Sequence, residues 1–376
     1  AGDSRVVRLS RELLSAEEAA GLSRAITEHQ PAEGHLDSID GLPAYEMYIR
    51  ERGEDVHPAA RGMGDLFERM EKEARRLYEC EACTVCHCLL RRYQPTERTA
   101  VPSHFDRHAF ITALNPSEFV GGLFLQRTFR PSSRLFFDVG PRDVLFHQYD
   151  LNHGVQLNKG KRISAIFWLS DSREACIAGS SGWYEPAAQR GSAFAQDALM
   201  ELHAMGQHGY AKDFKAAVKW GSLAAEQGYA PAQARLGRLF LAGEGVTHDP
   251  ELGLQWVEKA AAQGYPSAEY TMGVACQYGH APGGLERAAV WFLSAAEAGE
   301  AKAQHEYGLA LANGDGVEID RREGAAWLEK AAAQGHKEAT DDLAQARRDS
   351  WQWWKQMAAP LMIPQRLWTL QADSLA

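Results

Sequence analysis

At 376 residues the chain has room for two or three domains, and 45% apolar with 10% aromatic content suits a protein that buries a sizeable core. The formal charge is −10. Lys+Arg against Asp+Glu runs 24 to 27 in residues 1–190 and 16 to 23 in 191–376, so neither half has the basic surplus of a phosphate-backbone binder, and no nucleic-acid partner is expected. No stretch approaches the ~18 apolar residues of a membrane span, and no apolar run at the start reads as a signal peptide. The expectation is a soluble, cytoplasmic chain with no membrane partner, its acidic second half a solvated face.

In chain order, residues 15–29 read as a helix. Ser15 and Glu18 form a capping box, and Ala19, Leu22 and Ile26 share a face. A second helix is expected near 59–79, with Leu66, Phe67, Met70, Ala74 and Leu77 as its stripe. Cys80, Cys83, Cys86 and Cys88 then crowd together, a spacing that zinc or an iron–sulfur cluster could use. The stretch 83–93 resembles a strand, however, which points Cys83 and Cys86 to opposite sides. Buried free core cysteines are the favoured reading. Strand-like stretches follow at 84–93, 109–114, 121–129, 134–139, 143–149 and 162–170, separated by turn residues such as Asn115-Pro116-Ser117 and Gly140-Pro141. Helices followed by many short strands indicate an α+β domain with a sandwich or jelly-roll barrel over residues 1–175.

The chemistry-bearing residues lie among those strands. His104 and Asp106 are two apart, so on extended backbone they share a face and can reach one metal. His153 follows 47 residues after Asp106. Two His and one carboxylate make the facial triad of non-haem iron(II) oxygenases, which leaves positions open for a bidentate co-substrate and dioxygen. Nine residues after His153 comes Arg162, and Ser164 lies on the same strand face. An Arg turned into a barrel is costly unless an anion meets it. Its fork fits a carboxylate in two parallel hydrogen bonds, with the Ser hydroxyl adding a third.

The run Arg92–Leu169 resembles the prolyl 4-hydroxylase-like branch of the 2-oxoglutarate/iron(II) dioxygenases. The likeness rests on Arg92-Tyr93, His104-x-Asp106, Gly121-Gly122, Gly140 with Phe146, His153-Gly154-Val155, and Arg162-x-Ser164 leading to Trp168. It implies a double-stranded β-helix that holds Fe(II) through His104, Asp106 and His153. It further implies 2-oxoglutarate bound by Arg162 and Ser164, and oxidative decarboxylation to succinate coupled to hydroxylation of a C–H bond. Related halogenases replace the carboxylate ligand with a small residue, so Asp106 points to hydroxylation. Some members carry a second co-substrate Tyr where this chain has Ala113, which leaves Tyr93 to take that role. His108 reads either as mouth-lining or as an exposed loop residue, and His147 as a residue behind the ligands at most. Arg127, Arg130 and Arg134 fall where this family often meets substrate and could hold an acidic group, although a solvated turn is the simpler account.

The second half is a repeat array. Gly228, Gly264, Gly299 and Gly335 step by 36, 35 and 36, and Trp220, Trp256, Trp291 and Trp327 keep the same register; Gly237, Gly273 and Gly308 step by 36 and 35. Each unit reads as two helices, for example Ala232–Leu241 and Leu252–Gln263, closed by a glycine that permits a left-handed cap. One unit cannot bury its apolar face, so the units stack into an all-α solenoid. The pattern resembles the Sel-one-like repeat, a relative of the tetratricopeptide repeat, with Ala-Gly-Glu-Gly-Val at 242–246 and Asn-Gly-Asp-Gly-Val at 313–317 as the inter-helix turn. The resemblance implies a protein-interaction scaffold; a brace for the first domain is the simpler alternative.

The organisation expected is therefore 1–175 oxygenase, 176–194 connector, 195–345 repeats and 346–376 a Trp-rich cap. The favoured function is hydroxylation of a peptide or protein side chain. The alternatives are a hydroxylase of a free amino acid or other small metabolite, and a non-catalytic adaptor.

Overall fold

The computed structural model describes residues 7–29, 45–61, 63, 65–77, 82–94, 100–104, 109–114, 118–126, 128–140, 142–147, 153–170, 172–178, 184–207 and 209–345. The Trp-rich segment 346–376, Cys80, Asp106, His108 and Arg127 lie outside them.

Strand β1 (Val7–Ser10) leads into helix α1 (Ala16–Glu28). The helix starts where the capping box places it: the Glu18 amide donates to Ser15 Oγ at 3.1 Å, and the Ser15 amide donates to the Glu18 carboxylate at 2.7 Å. Ala19, Leu22 and Ile26 are its buried stripe. A hairpin of β2 (Tyr45–Glu51) and β3 (Glu54–Asp55) turns through Arg52 and Gly53, both at positive φ. The single helix expected near 59–79 is instead two, α2 (Pro58–Arg61) and α3 (Leu66–Leu77). Gly62 and Gly64 fall between them, and glycine is costly in a helix interior.

Eight further strands follow: β4 (Thr84–Tyr93), β5 (Ala100–His104), β6 (Ala109–Ala113), β7 (Phe119–Gln126), β8 (Arg134–Phe136), β9 (Val144–His147), β10 (His153–Gly160) and β11 (Arg162–Ser170). They form two antiparallel sheets, one ordered β1-β9-β6-β11-β4-β2-β3 and one β5-β10-β7-β8. One face of the larger sheet is covered by α1 and α3 through Leu22, Ile26, Met70, Leu90 and Phe167. Its other face meets the smaller sheet through Leu89, Tyr93, Ile111, Leu145 and Ile166 against Leu123, Val155 and Leu157. Alternation along β4 and β11 feeds both cores, which is why these two strands are buried almost throughout.

Helix α4 (Arg173–Ala178) packs on β4 and β11 and joins Cys176 to Cys86 in a disulfide, Cα–Cα 5.3 Å, across 90 residues. Cys83 is disulfide-bonded too, and Cys88 is free and buried. The expectation of free core cysteines thus holds for Cys88 and fails for Cys83 and Cys86. The partner of Cys86 is brought in by a helix beyond the last strand, out of sight of local spacing. Disulfides persist in oxidising compartments, so the bond runs against the cytoplasmic expectation.

The second half is the helical solenoid. After α5 (Tyr184–Gln189) come the antiparallel pairs α6 (Ala193–Met205) with α7 (Phe214–Glu226), α8 (Ala230–Ala242) with α9 (Pro250–Ala262), α10 (Pro266–Gln277) with α11 (Gly284–Glu297), and α12 (Ala301–Asn313) with α13 (Arg321–Ala333). Asp213, Asp249 and Asp320 cap the starts of α7, α9 and α13 with side-chain acceptors, while Gly206, Gly243 and Gly314 end α6, α8 and α12 in the left-handed conformation.

Candidate active site

Arg162 opens β11 directly opposite Tyr93 of β4. Both are 1% exposed. The Arg162 Nε donates to Ser164 Oγ at 2.8 Å, one strand period away on the same face. Its guanidinium lies 5.0 Å from the centre of the Phe119 ring and passes over Gly122, where a Cβ would come within 3.0 Å of Nη1. Gly122 also sits at φ +131°, so the position needs glycine twice over. Burial pulls the pKa of Arg162 down to about 10, against the opposing pull of Tyr93, and the group stays charged at neutral pH.

Among the described residues, the buried Arg162 Nη2 has no hydrogen-bond partner. Arg162 also borders a cavity of about 270 Å³ together with Phe119, Gly121, Phe136, Phe137, Asp138 and Val139. A buried charged donor left unsatisfied is costly, and a small anion would relieve it. The Ser164 hydroxyl oxygen accepts from Arg162 and so orients the fork, while its O–H remains a donor.

His153 begins β10 and is 1% exposed. The backbone register sets it opposite His104, the last residue of β5, and opposite Leu125 of β7 on the other side. A bulge falls between His153 and Val155, a device that re-aims a side chain. Asp106, two residues past His104, lies outside the described residues. His147, fully buried on β9, packs its ring 4.2 Å from that of His153. The sequence reads it as a residue behind the ligand set at most. Strand alternation carried the signal, because His147 shares a face with Leu145, which points between the sheets. The described residues thus bring a buried imidazole, His153, and a buried guanidinium, Arg162, to adjoining sheets, and among them no group of three His, Cys, Asp or Glu side chains could hold a metal ion.

The hairpin arginines separate. Arg134 donates to Gln126 Oε1 at 3.0 Å and Gln156 Oε1 at 2.7 Å and lies over Phe124. Arg130 leaves its own sheet and pairs with Glu269 of α10 and with Ser294 of α11. It is neither a solvated turn residue nor open to a substrate acid.

Residues 195–336 are four Sel1 repeats, at 195–229, 230–265, 266–300 and 301–336. Among solved structures, the chain is similar to a Sel1 repeat protein from Oxalobacter formigenes, at 37% identity and TM-score 0.41 over 46% of this chain and 49% of that one. It is also similar to an oxidoreductase of the 2OG-Fe(II) oxygenase family from Burkholderia pseudomallei, at 14% identity and TM-score 0.36 over 45% of this chain and 85% of that one. A prolyl-4-hydroxylase from Pseudomonas putida shows 16% identity and TM-score 0.32 over 44% of this chain and 92% of that one. The chain thus spans about half the length of the Oxalobacter protein. No curated protein matches it. Among the described residues, no helix is long and apolar enough to cross a membrane.

Proposed function

We propose that this chain is an iron(II)- and 2-oxoglutarate-dependent oxygenase that hydroxylates a side chain of a peptide or protein. In this reading residues 1–175 are the oxygenase, its two sheets forming a double-stranded β-helix, 176–194 a connector, 195–345 the repeats and 346–376 a cap. The observation that carries it is Arg162: a buried guanidinium whose Nη2 has no partner among the described residues, in a residue that borders a cavity of about 270 Å³. A five-carbon dicarboxylate suits such a space, which lies below the ~300 Å³ at which pockets for drug-sized ligands begin.

His104, Asp106 and His153 would hold the iron, which when bound activates dioxygen at the expense of 2-oxoglutarate. The chain's own residues do the rest. Arg162, oriented by Ser164, grips the distal carboxylate, and Tyr93 stands beside it to hydrogen-bond the same group. Phe119, Phe137 and Val139 supply the apolar part of the cavity wall, against the carbon chain of the acid. Sel1 repeats generally mediate protein–protein interaction, and here they touch the hairpin that walls the cavity, which favours a peptide substrate over a free metabolite.

The test supplies the full chain with Fe(II), 2-oxoglutarate and air, in parallel with peptide mixtures and with free amino acids. The reading expects a peptide to gain one oxygen in step with succinate release, and His104→Ala to abolish both without lowering the melting temperature. Oxidation of free amino acids alone would transfer the assignment to a small-metabolite hydroxylase. A native chain that binds no 2-oxoglutarate would leave only a non-catalytic adaptor.

A further inference from the structure

The Sel1 repeats share an internal hydrogen-bond device, and one repeat has lost it. In the first unit the Gln227 amide donates to Gln196 Oε1 at 2.7 Å, and Gln196 donates to the Ala188 carbonyl at 3.0 Å. In the second, Gln263 donates to Gln233 and Gln233 to Ala225. In the fourth, Gln334 donates to Gln304 and Gln304 to Ala296. The same two positions of the third unit hold Glu269 and Ala298. A carboxylate cannot donate to a carbonyl, and Ala has nothing to donate, so both rungs of the ladder are gone.

A third position changes with them. Ser294 stands where the other units carry Leu223, Lys259 and Lys330. The three changes make a socket. Arg130, at the tip of the β7–β8 hairpin, fills it: Nη2 pairs with Glu269 Oε1 and donates to Ser294 Oγ at 2.7 Å, and Nη1 donates to the Ser294 carbonyl at 2.5 Å. Ser294 Oγ in turn donates to Glu269 at 2.9 Å. Glu269 is 2% exposed, and such a carboxylate buried without a cation would be heavily penalised. Beside it, Phe129 packs into the apolar cluster of α8, α9 and α10, its ring edge-on to Tyr265 at 4.9 Å.

We infer that the 266–300 repeat is a dedicated receptor for the hairpin tip Phe129–Arg130, and that this latch positions the wall of the Arg162 cavity. Both strands of the hairpin contribute that wall, through Phe119 and Gly121 on one side and Phe136 on the other. Strand β8 is a three-residue edge that, among the described residues, pairs only with β7, with Leu135 and Phe136 close to half exposed. So short an edge opens readily unless something else holds it. Arg130 and Glu269 are therefore positioning residues that link the solenoid to the cavity. The bearing on 2-oxoglutarate rests on the function proposed above; the latch itself does not.

The experiment compares the full native chain with Glu269→Gln, Arg130→Gln and the double variant, by amide hydrogen exchange and by titration with 2-oxoglutarate. Glu269→Gln restores the residue type of the other three repeats and leaves the solenoid intact. Residues 128–136 should exchange about tenfold faster in all three variants, while β4 and α12 are unchanged. The native chain should bind 2-oxoglutarate at least about threefold more tightly than any variant, because the ligand otherwise orders the wall itself. Arg130→Gln alone strands the Glu269 carboxylate and should melt lowest; the double variant should recover the melting temperature but not the slow exchange. Hairpin exchange unchanged in Glu269→Gln overturns the latch. Faster exchange with unaltered 2-oxoglutarate affinity overturns its positioning role. If the native chain binds no 2-oxoglutarate, the proposed function and the cavity role fall together, while the exchange data still decide the latch.

Discussion

Replacing Arg162 by Lys keeps a positive charge at the head of β11 but removes the planar fork and the Nε that Ser164 orients. A hydrogen bond to a charged partner contributes ~1.5–3 kcal/mol, so the variant should need about ten- to a hundredfold more 2-oxoglutarate. The measurement is the concentration of 2-oxoglutarate for half-maximal succinate release, beside a thermal melt. An unchanged requirement would remove Arg162 from the co-substrate site. At this scale the surroundings of Arg162 were legible in part. Residues at i and i+2 on a strand share a face, which joined Arg162 to Ser164. That the Ser hydroxyl would accept from Arg162 Nε was not, since alternation says which face and not which acceptor. The pairing of Arg130 with Glu269 spans 139 residues, beyond any local pattern. Its trace was nonetheless present in the one repeat that carries Glu269, Ser294 and Ala298 in place of its neighbours' residues.

Elements with a strong period were found close to their true bounds, as with β4, α1 and the paired repeat helices. The strands missed were β1, β2, β3, β5 and β10, and composition hides two of them: β10 contains Gly154, Asn158, Lys159 and Gly160, and β5 contains Pro102. Their pairing comes from the neighbouring sheet rather than from β propensity. In the repeats, the glycine step at 237, 273 and 308 has a packing cause. A Cβ on Gly237 would lie 2.6 Å from the Gly253 carbonyl and 2.7 Å from Val257 Cγ2 where α8 crosses α9. Ala gains ~1 kcal/mol of helix propensity over Gly, but a backbone carbonyl cannot swing aside. Gly237→Ala should therefore destabilise the solenoid by a net ~1–3 kcal/mol, read from chemical denaturation of the full chain. A stabilised variant would mean that the helices can separate there without loss. The Cys86–Cys176 bond ties α4 to β4 in the same way that a crossing ties two helices. Burial pushes the Cys88 thiol well up, so it should neither exchange with the pair nor react in the native state. Peptide mapping without reductant should find Cys86 linked to Cys176. The paired substitution to Ser should cost ~2–4 kcal/mol, and an unshifted denaturation midpoint would show that the closed loop was already ordered without it.

The molecule as a whole is a sheet domain whose cavity wall is gripped by a helical solenoid, and its two halves come together at the tip of one hairpin. The solenoid supplies none of the residues assigned to iron or to 2-oxoglutarate, so its influence on chemistry has to pass through positioning and through the substrate it recruits. Binding energy far from the reacting carbon can orient that carbon, which lets a repeat surface raise turnover as well as affinity. The solenoid's bearing on chemistry depends on the first half being an oxygenase, whereas the Arg130–Glu269 contact does not. The most direct test is succinate formation from 2-oxoglutarate by the full-length chain supplied with Fe(II) and air, with His153→Ala as the control. The native chain is predicted to release succinate slowly even without a substrate, and the variant to release none while melting at the native temperature. A folded, iron-supplied native chain that forms no more succinate than His153→Ala would contradict the assignment.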